Sequence, residues 1–257
     1  MTTARDLLVR GLLAGLLAGV ATFFVAYAVG EPSVGAAIAV EEAGGAADHD
    51  QGTAGEDHDH GTVVPRSLQS TAGLATSTVV AGVTLGGLLS VVSALALGRF
   101  GRLGARSTVL LVTGLGLLAT YVVPYLAYPP NPPAVGEPDT IGLRTALYFI
   151  LVAVSLVAGV TAVLGARRLA PRWGAWYATL VCAAAYAVAM LVAAAIMPTY
   201  DEVPADFPAT VLYDFRRASL LIQITLWGFV GLATAELAHR FVVRGARKAP
   251  PAGLVRT

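Results

Sequence analysis

The residues best suited to chemistry are three histidines set among carboxylates. Asp48-His49-Asp50 is followed by Asp57-His58-Asp59-His60, so every one of these imidazoles has an acid beside it. Neutral imidazole nitrogen combined with carboxylate oxygen suits divalent first-row metals such as cobalt, nickel or zinc, and no thiolate is present to favour Cu(I). In an extended segment His58 and His60 point to the same side, where a bend of the chain brings them onto one ion. The Gly- and Ala-rich surroundings predict weak capture rather than a rigid structural centre. A solvated acidic linker with incidental histidines is the competing reading of the same stretch.

These residues sit between long apolar runs. The runs cover Leu7 to Val29, Gly73 to Leu97, Val109 to Tyr128, Thr145 to Gly165, Ala175 to Met197 and Ala218 to Arg240. Each has about 20 residues or more, enough to cross a hydrocarbon core of roughly 30 Å as a helix that satisfies its own backbone. The predicted fold is therefore all-α, a polytopic integral membrane bundle of about six transmembrane helices. With 56% hydrophobic and 13% charged residues, the composition agrees. Arg5 and Arg10, the first apolar run and Ala26-Tyr27-Ala28 also fit a secretory signal, whose cleavage would leave five helices. Against that, the run is long, and Gly11, Gly15 and Gly19 form a small-residue stripe to which another helix can approach closely. Gly82 and Gly86 mark a second such face.

Charge predicts the orientation. Arg5, Arg10, Arg99, Arg102, Arg106, Arg167, Arg168, Arg172, Arg240, Arg244, Arg247, Lys248 and Arg256 all fall in alternate connections or the termini, which places those segments in the cytoplasm. The other connections hold nearly all the acids and only Arg66, Arg144, Arg216 and Arg217. A net charge of +1 gives no support for nucleic-acid binding.

The expected organisation is an N-terminal segment with the first helix (1–29), an outer acidic, His-containing connection (30–72), a five-helix bundle with short outer loops (73–240) and a basic cytoplasmic tail (241–257). The outer loops Pro129 to Arg144 and Pro198 to Arg216 are rich in proline, which lowers the entropy lost on ordering and predicts shaped caps. Gly30-Glu31-Pro32 recurs as Gly136-Glu137-Pro138, too short a match to establish a duplication. A lone cysteine, Cys182, rules out an intrachain disulfide and reads as a small buried apolar side chain.

No ionisable residue lies near the middle of any run, although such residues usually mark an ion path. A polar stripe of Ser219, Gln223, Trp227 and Thr234 on the last helix is left, as a possible path or as interhelical hydrogen bonding. Pro124 either frees a backbone carbonyl toward a cavity or only kinks its helix. No GxxxxGK[ST] loop and no catalytic motif appears, so neither a nucleotide nor an enzyme is expected.

Longer stretches carry a family resemblance. Gly30-Glu31-Pro32, Ala39-Val40-Glu41-Glu42-Ala43, the Asp- and His-rich insert, Arg66-Ser67-Leu68-Gln69-Ser70, Tyr128-Pro129-Pro130-Asn131-Pro132-Pro133-Ala134-Val135-Gly136, Pro138-Asp139-Thr140-Ile141-Gly142 and Asp201-Glu202-Val203-Pro204-Ala205-Asp206-Phe207-Pro208 together resemble the CbtA family. The resemblance implies a cobalt transporter subunit of the bacterial cytoplasmic membrane, linked to cobalamin supply. It also implies a small single-helix partner, CbtB, with a histidine-rich end; a homo-oligomer is a further expectation. The family is usually described with five helices rather than six. Among the acids, the resemblance highlights Glu31, Glu41, Glu42, Asp139, Asp201, Glu202 and Asp206. They are expected to line an outer vestibule or to pair with the four outer arginines. A membrane protein that binds and delivers a metal without translocating it, or a structural scaffold, is the alternative function.

Overall fold

The computed structural model describes residues 2–49, 65–100, 103–133, 135–200 and 202–248, and these are helices and connecting loops without a strand. Among the described residues, five helices are long and apolar enough to cross a membrane. The first comprises α1 (Thr2–Val25), a π-helical turn (Ala26–Gly30) and α2 (Glu31–His49), which follow without a break. The second is α3 (Arg66–Leu68), a π-helical turn (Gln69–Gly73) and α4 (Leu74–Ala96). The third is α5 (Ala105–Leu117), a π-helical turn (Leu118–Val122) and α6 (Val123–Ala127). Then come α7 (Ile141–Ile196) and α8 (Ala209–Lys248).

The 56 residues of α7 are two arms. Gly174 has φ 80° and ψ 153°, a conformation open essentially to glycine alone, and it breaks the helix three residues after Pro171. Ser155 Oγ and Tyr186 Oη are 2.7 Å apart. A straight helix would separate residues 31 apart by roughly 46 Å, so the chain reverses at Gly174. The six apolar runs thus become six helical arms on five helices.

The first run was expected to end at Val29, yet the helix continues through Pro32 to His49. The π turn explains how. Proline supplies no N–H and its ring clashes with the carbonyl four residues back, and a widened turn just before it relieves both. The same device precedes Pro124, where Leu118–Val122 is π-helical. The Gly-Glu-Pro tripeptides have different structures: the first continues a helix, whereas Gly136 lies in a turn at φ 131°.

Two compact units divide the chain. The first is built from Met1–Pro32, Glu56–Gly114 and Leu220–Thr257. Here α1 and α4 meet backbone to backbone. A Cβ on Gly82 would come within 2.8 Å of Gly19 Cα, and one on Gly86 within 2.9 Å of Gly15 Cα. Only glycine permits that approach, and dispersion and close packing replace the hydrophobic effect that lipid cannot supply. Around the seam, Leu7 packs with Val109, Ala235 and Ala238, and Ala18 with Leu89, Leu226 and Val230. Leu17, Phe24, Leu88 and Leu95 remain exposed, as a lipid-facing exterior requires. The uncharged stretch between Arg10 and Glu31 measures roughly 31 Å as a helix, about one hydrocarbon core. At one end Arg10 stacks 4.6 Å from the Phe241 ring centroid and Arg106 and Arg240 share Glu236. At the other, Arg66 pairs with Glu31.

The second unit comprises Ser33–Gly55 and Leu115–Ser219. Tyr148 Oη donates to the Thr120 carbonyl at 2.9 Å and Tyr121 Oη shares a hydrogen bond with Ser219 Oγ. Cys182 is buried, with its sulfur close against Gly165.

Candidate functional site

The loops that follow α6 and α7 form a cap on the second unit, and its hub is Glu202. Prolines at 129, 130, 132 and 133 fix φ along the first loop, Gly136 turns it, and a 3₁₀ turn (Pro138–Thr140) leads into α7. A Cβ on Gly136 would meet Arg144 Nη2 at 2.7 Å and Glu202 Oε2 at 3.1 Å, so a side chain here would push the ends of this ion pair aside, and the φ of 131° itself favours glycine. Glu202 Oε1 accepts from Thr140 Oγ1 at 2.5 Å, and its Oε2 accepts from the Glu137 N–H at 3.0 Å and from Arg144 Nη1 at 2.6 Å. The carboxylate is only 8% exposed. Its pKa is held below the ordinary carboxylate value, first by the Thr140 hydrogen bond and then by the Glu137 N–H and the Arg144 charge, which outweigh the effect of burial.

Three further bonds hold the loops and helix ends of this cap together. Tyr128 Oη donates to the Pro198 carbonyl at 2.8 Å, Tyr125 Oη to the Arg216 carbonyl at 3.3 Å, and Arg216 Nη2 to Asn131 Oδ1 at 3.0 Å. Beneath them lies a cavity of about 470 Å³, lined by Tyr128, Asn131, Arg144, Tyr148, Tyr200 and Arg216 together with apolar side chains.

The acids singled out in the sequence divide into different situations. Glu31 and Glu202 are committed to arginines, Arg66 and Arg144. Glu41 and Glu42 are exposed on α2, and Asp139 and Asp206 are exposed in turns. His49 is the last residue of α2; Asp57, His58, Asp59, His60 and Asp201 lie outside the described residues. Among the described residues no three His, Cys, Asp or Glu side chains gather into a metal-ligating group. On α8, Ser219 bonds Tyr121, Gln223 is half-buried and Trp227 is buried. In the first unit, the hydroxyls of Thr22, Ser90, Ser93, Thr108 and Thr234 are buried without a hydrogen-bond partner. Thr140 and the first-unit hydroxyls other than that of Thr234 escaped the sequence reading, because a threonine or serine in an apolar run or a loop carries no local signal of its distant neighbours.

The family model described as "Probable cobalt transporter subunit (CbtA)" matches residues 4–239. No curated protein and no solved structure matches the chain.

Proposed function

The chain belongs to the CbtA family, and from that premise we propose that it is the membrane subunit of a divalent-metal uptake transporter whose cargo is Co2+. The observation that carries this reading is the family match across nearly the whole chain, joined to helices that are long and apolar enough to span a bilayer. It is a bacterial cytoplasmic-membrane protein with its acidic connections outside and its basic ones inside. Capture falls to His49, His58 and His60 with Asp57 and Asp59, and Ni2+ and Zn2+ compete for the same donors. Glu41, Glu42, Asp139, Asp201 and Asp206 then strip part of the hydration shell. Glu31 and Glu202 hold the structure around them, since each is already spent on an arginine.

Across the hydrophobic middle, where no carboxylate is available, neutral oxygens must serve. The buried, unpartnered hydroxyls of the first unit come from α1, α4, α5 and α8 and are the best supported donors for such a path. The membrane potential drives inward movement by roughly 2.3 kcal/mol per charge per 100 mV. No nucleotide and no enzymatic step enters. The partner is a small single-helix subunit with a histidine-rich end.

The alternative, metal binding and delivery without translocation, draws on the uncharged middle of every span. Uptake of labelled cobalt into vesicles carrying the purified chain, with and without the single-helix partner, separates the two. Entry above the protein-free level supports transport; binding without entry under both conditions supports delivery.

A further inference from the structure

We propose that the cavity of the second unit binds a phosphate-type oxyanion, held chiefly by the Arg216 guanidinium. Arg144 and Arg216 both line it, and no Asp or Glu is among its lining residues that are described. Arg144 gives Nη1 to Glu202, which cancels one charge. Among the described residues Arg216 meets neutral oxygens, the Pro130 carbonyl at 3.4 Å and Asn131 Oδ1 at 3.0 Å. Among the described residues, Arg144, Glu202 and Arg216 together leave one uncompensated positive charge. A dication is disfavoured beside that guanidinium, whereas an oxyanion balances it, and a planar guanidinium fork suits phosphate oxygens.

Position narrows the source. Ala127 is the last residue of α6 and Ile141 the first of α7, so the cavity opens at the ends of membrane-length helices. Phospholipid phosphodiesters sit at that depth. Apart from Asn131 and Thr145, the remaining lining, including Val135, Ile141, Tyr148, Phe149, Tyr200 and Val203, is apolar or aromatic and suits the glycerol and upper acyl region of a lipid.

The test uses the delipidated full-length chain in detergent, with bound phosphatidylglycerol and phosphatidylcholine counted by native mass spectrometry and inorganic phosphate added as a competitor. The expected result is a preference of roughly tenfold for the anionic lipid, the scale of a charge-assisted hydrogen bond. That preference should be lost in Arg216→Gln, retained in Arg216→Lys and unaffected in Arg217→Gln, whose guanidinium pairs with Asp214 instead. Binding of inorganic phosphate that depends on Arg216, without any lipid preference, would keep the oxyanion site and assign it to free phosphate. If the unaltered chain retains no phosphatidylglycerol and binds no phosphate, the proposal is overturned without need of a variant that folds. So does a lipid preference that persists in Arg216→Gln.

Discussion

The Tyr148 hydroxyl donates at 2.9 Å to the carbonyl of Thr120, the residue whose α-helical partner would be Pro124. Proline has no N–H to offer, so a tyrosine from the neighbouring helix makes up the missing bond. Tyr148→Phe should therefore lower stability by about 1 kcal/mol. In a Pro124→Ala background, where the backbone regains a donor, the loss should shrink. A double-mutant cycle of thermal unfolding in detergent measures the coupling; identical losses in both backgrounds would show that the two features are independent.

The Glu202 carboxyl, held below its ordinary value near 4.5, predicts a pH dependence. A depressed folded-state pKa contributes stability that is complete above the unfolded value and fades as pH falls through the folded one. At neutral pH Glu202→Gln should be less stable than the unaltered chain. Below about pH 4.5 the two melting curves should converge; a constant gap down to strongly acid pH would contradict the assigned hydrogen-bond set.

At the seam of the first unit, Gly15→Val should cost about 3 kcal/mol or more, because the new side chain meets the Gly82 backbone, which cannot swing aside. Gly35→Ala, in α2 with open space around it, should change stability by less than about 1 kcal/mol. Denaturation midpoints of the two variants, compared side by side, check the contrast.

Gly174→Ala adds no overlap, since nothing lies within 4 Å, and tests conformation alone. Its φ of 80° predicts a loss of roughly 1–3 kcal/mol. If instead it matches the original chain in thermal unfolding, the reversal does not need glycine.

Replacing His49, His58 and His60 together by alanine should reduce cobalt uptake chiefly when the metal is scarce and leave uptake at high metal nearly intact. Uptake measured across a range of cobalt concentrations reads this directly. An unaltered curve at the scarce end would remove the capture step.

The spans were legible because a bilayer imposes one requirement on every one of them, an unbroken apolar run. The glycine stripes were legible for a similar reason: spacing of four residues gathers Gly11, Gly15 and Gly19 on one helical face, and that face meets Gly82 and Gly86. The two possibilities for Pro124 were also readable, but choosing between them required Tyr148, which lies more than twenty positions away. Glu202 shows the limit most clearly. Its motif marked it as an acid of interest, yet its role depends on Thr140, Glu137 and Arg144, more than fifty residues distant. Pairings at that separation arise from the path of the loops and leave no periodic trace.

The glycine seam also bears on motion. Two rods touching through their main chains have no layer of adjustable side chains between them and cannot slide or tilt by small steps. In the first unit α1 and α4 therefore travel as one piece. Any rearrangement that opens or closes a passage there must be taken up by α5 and α8, which meet that piece through softer contacts such as Leu89 with Leu226 and Val230.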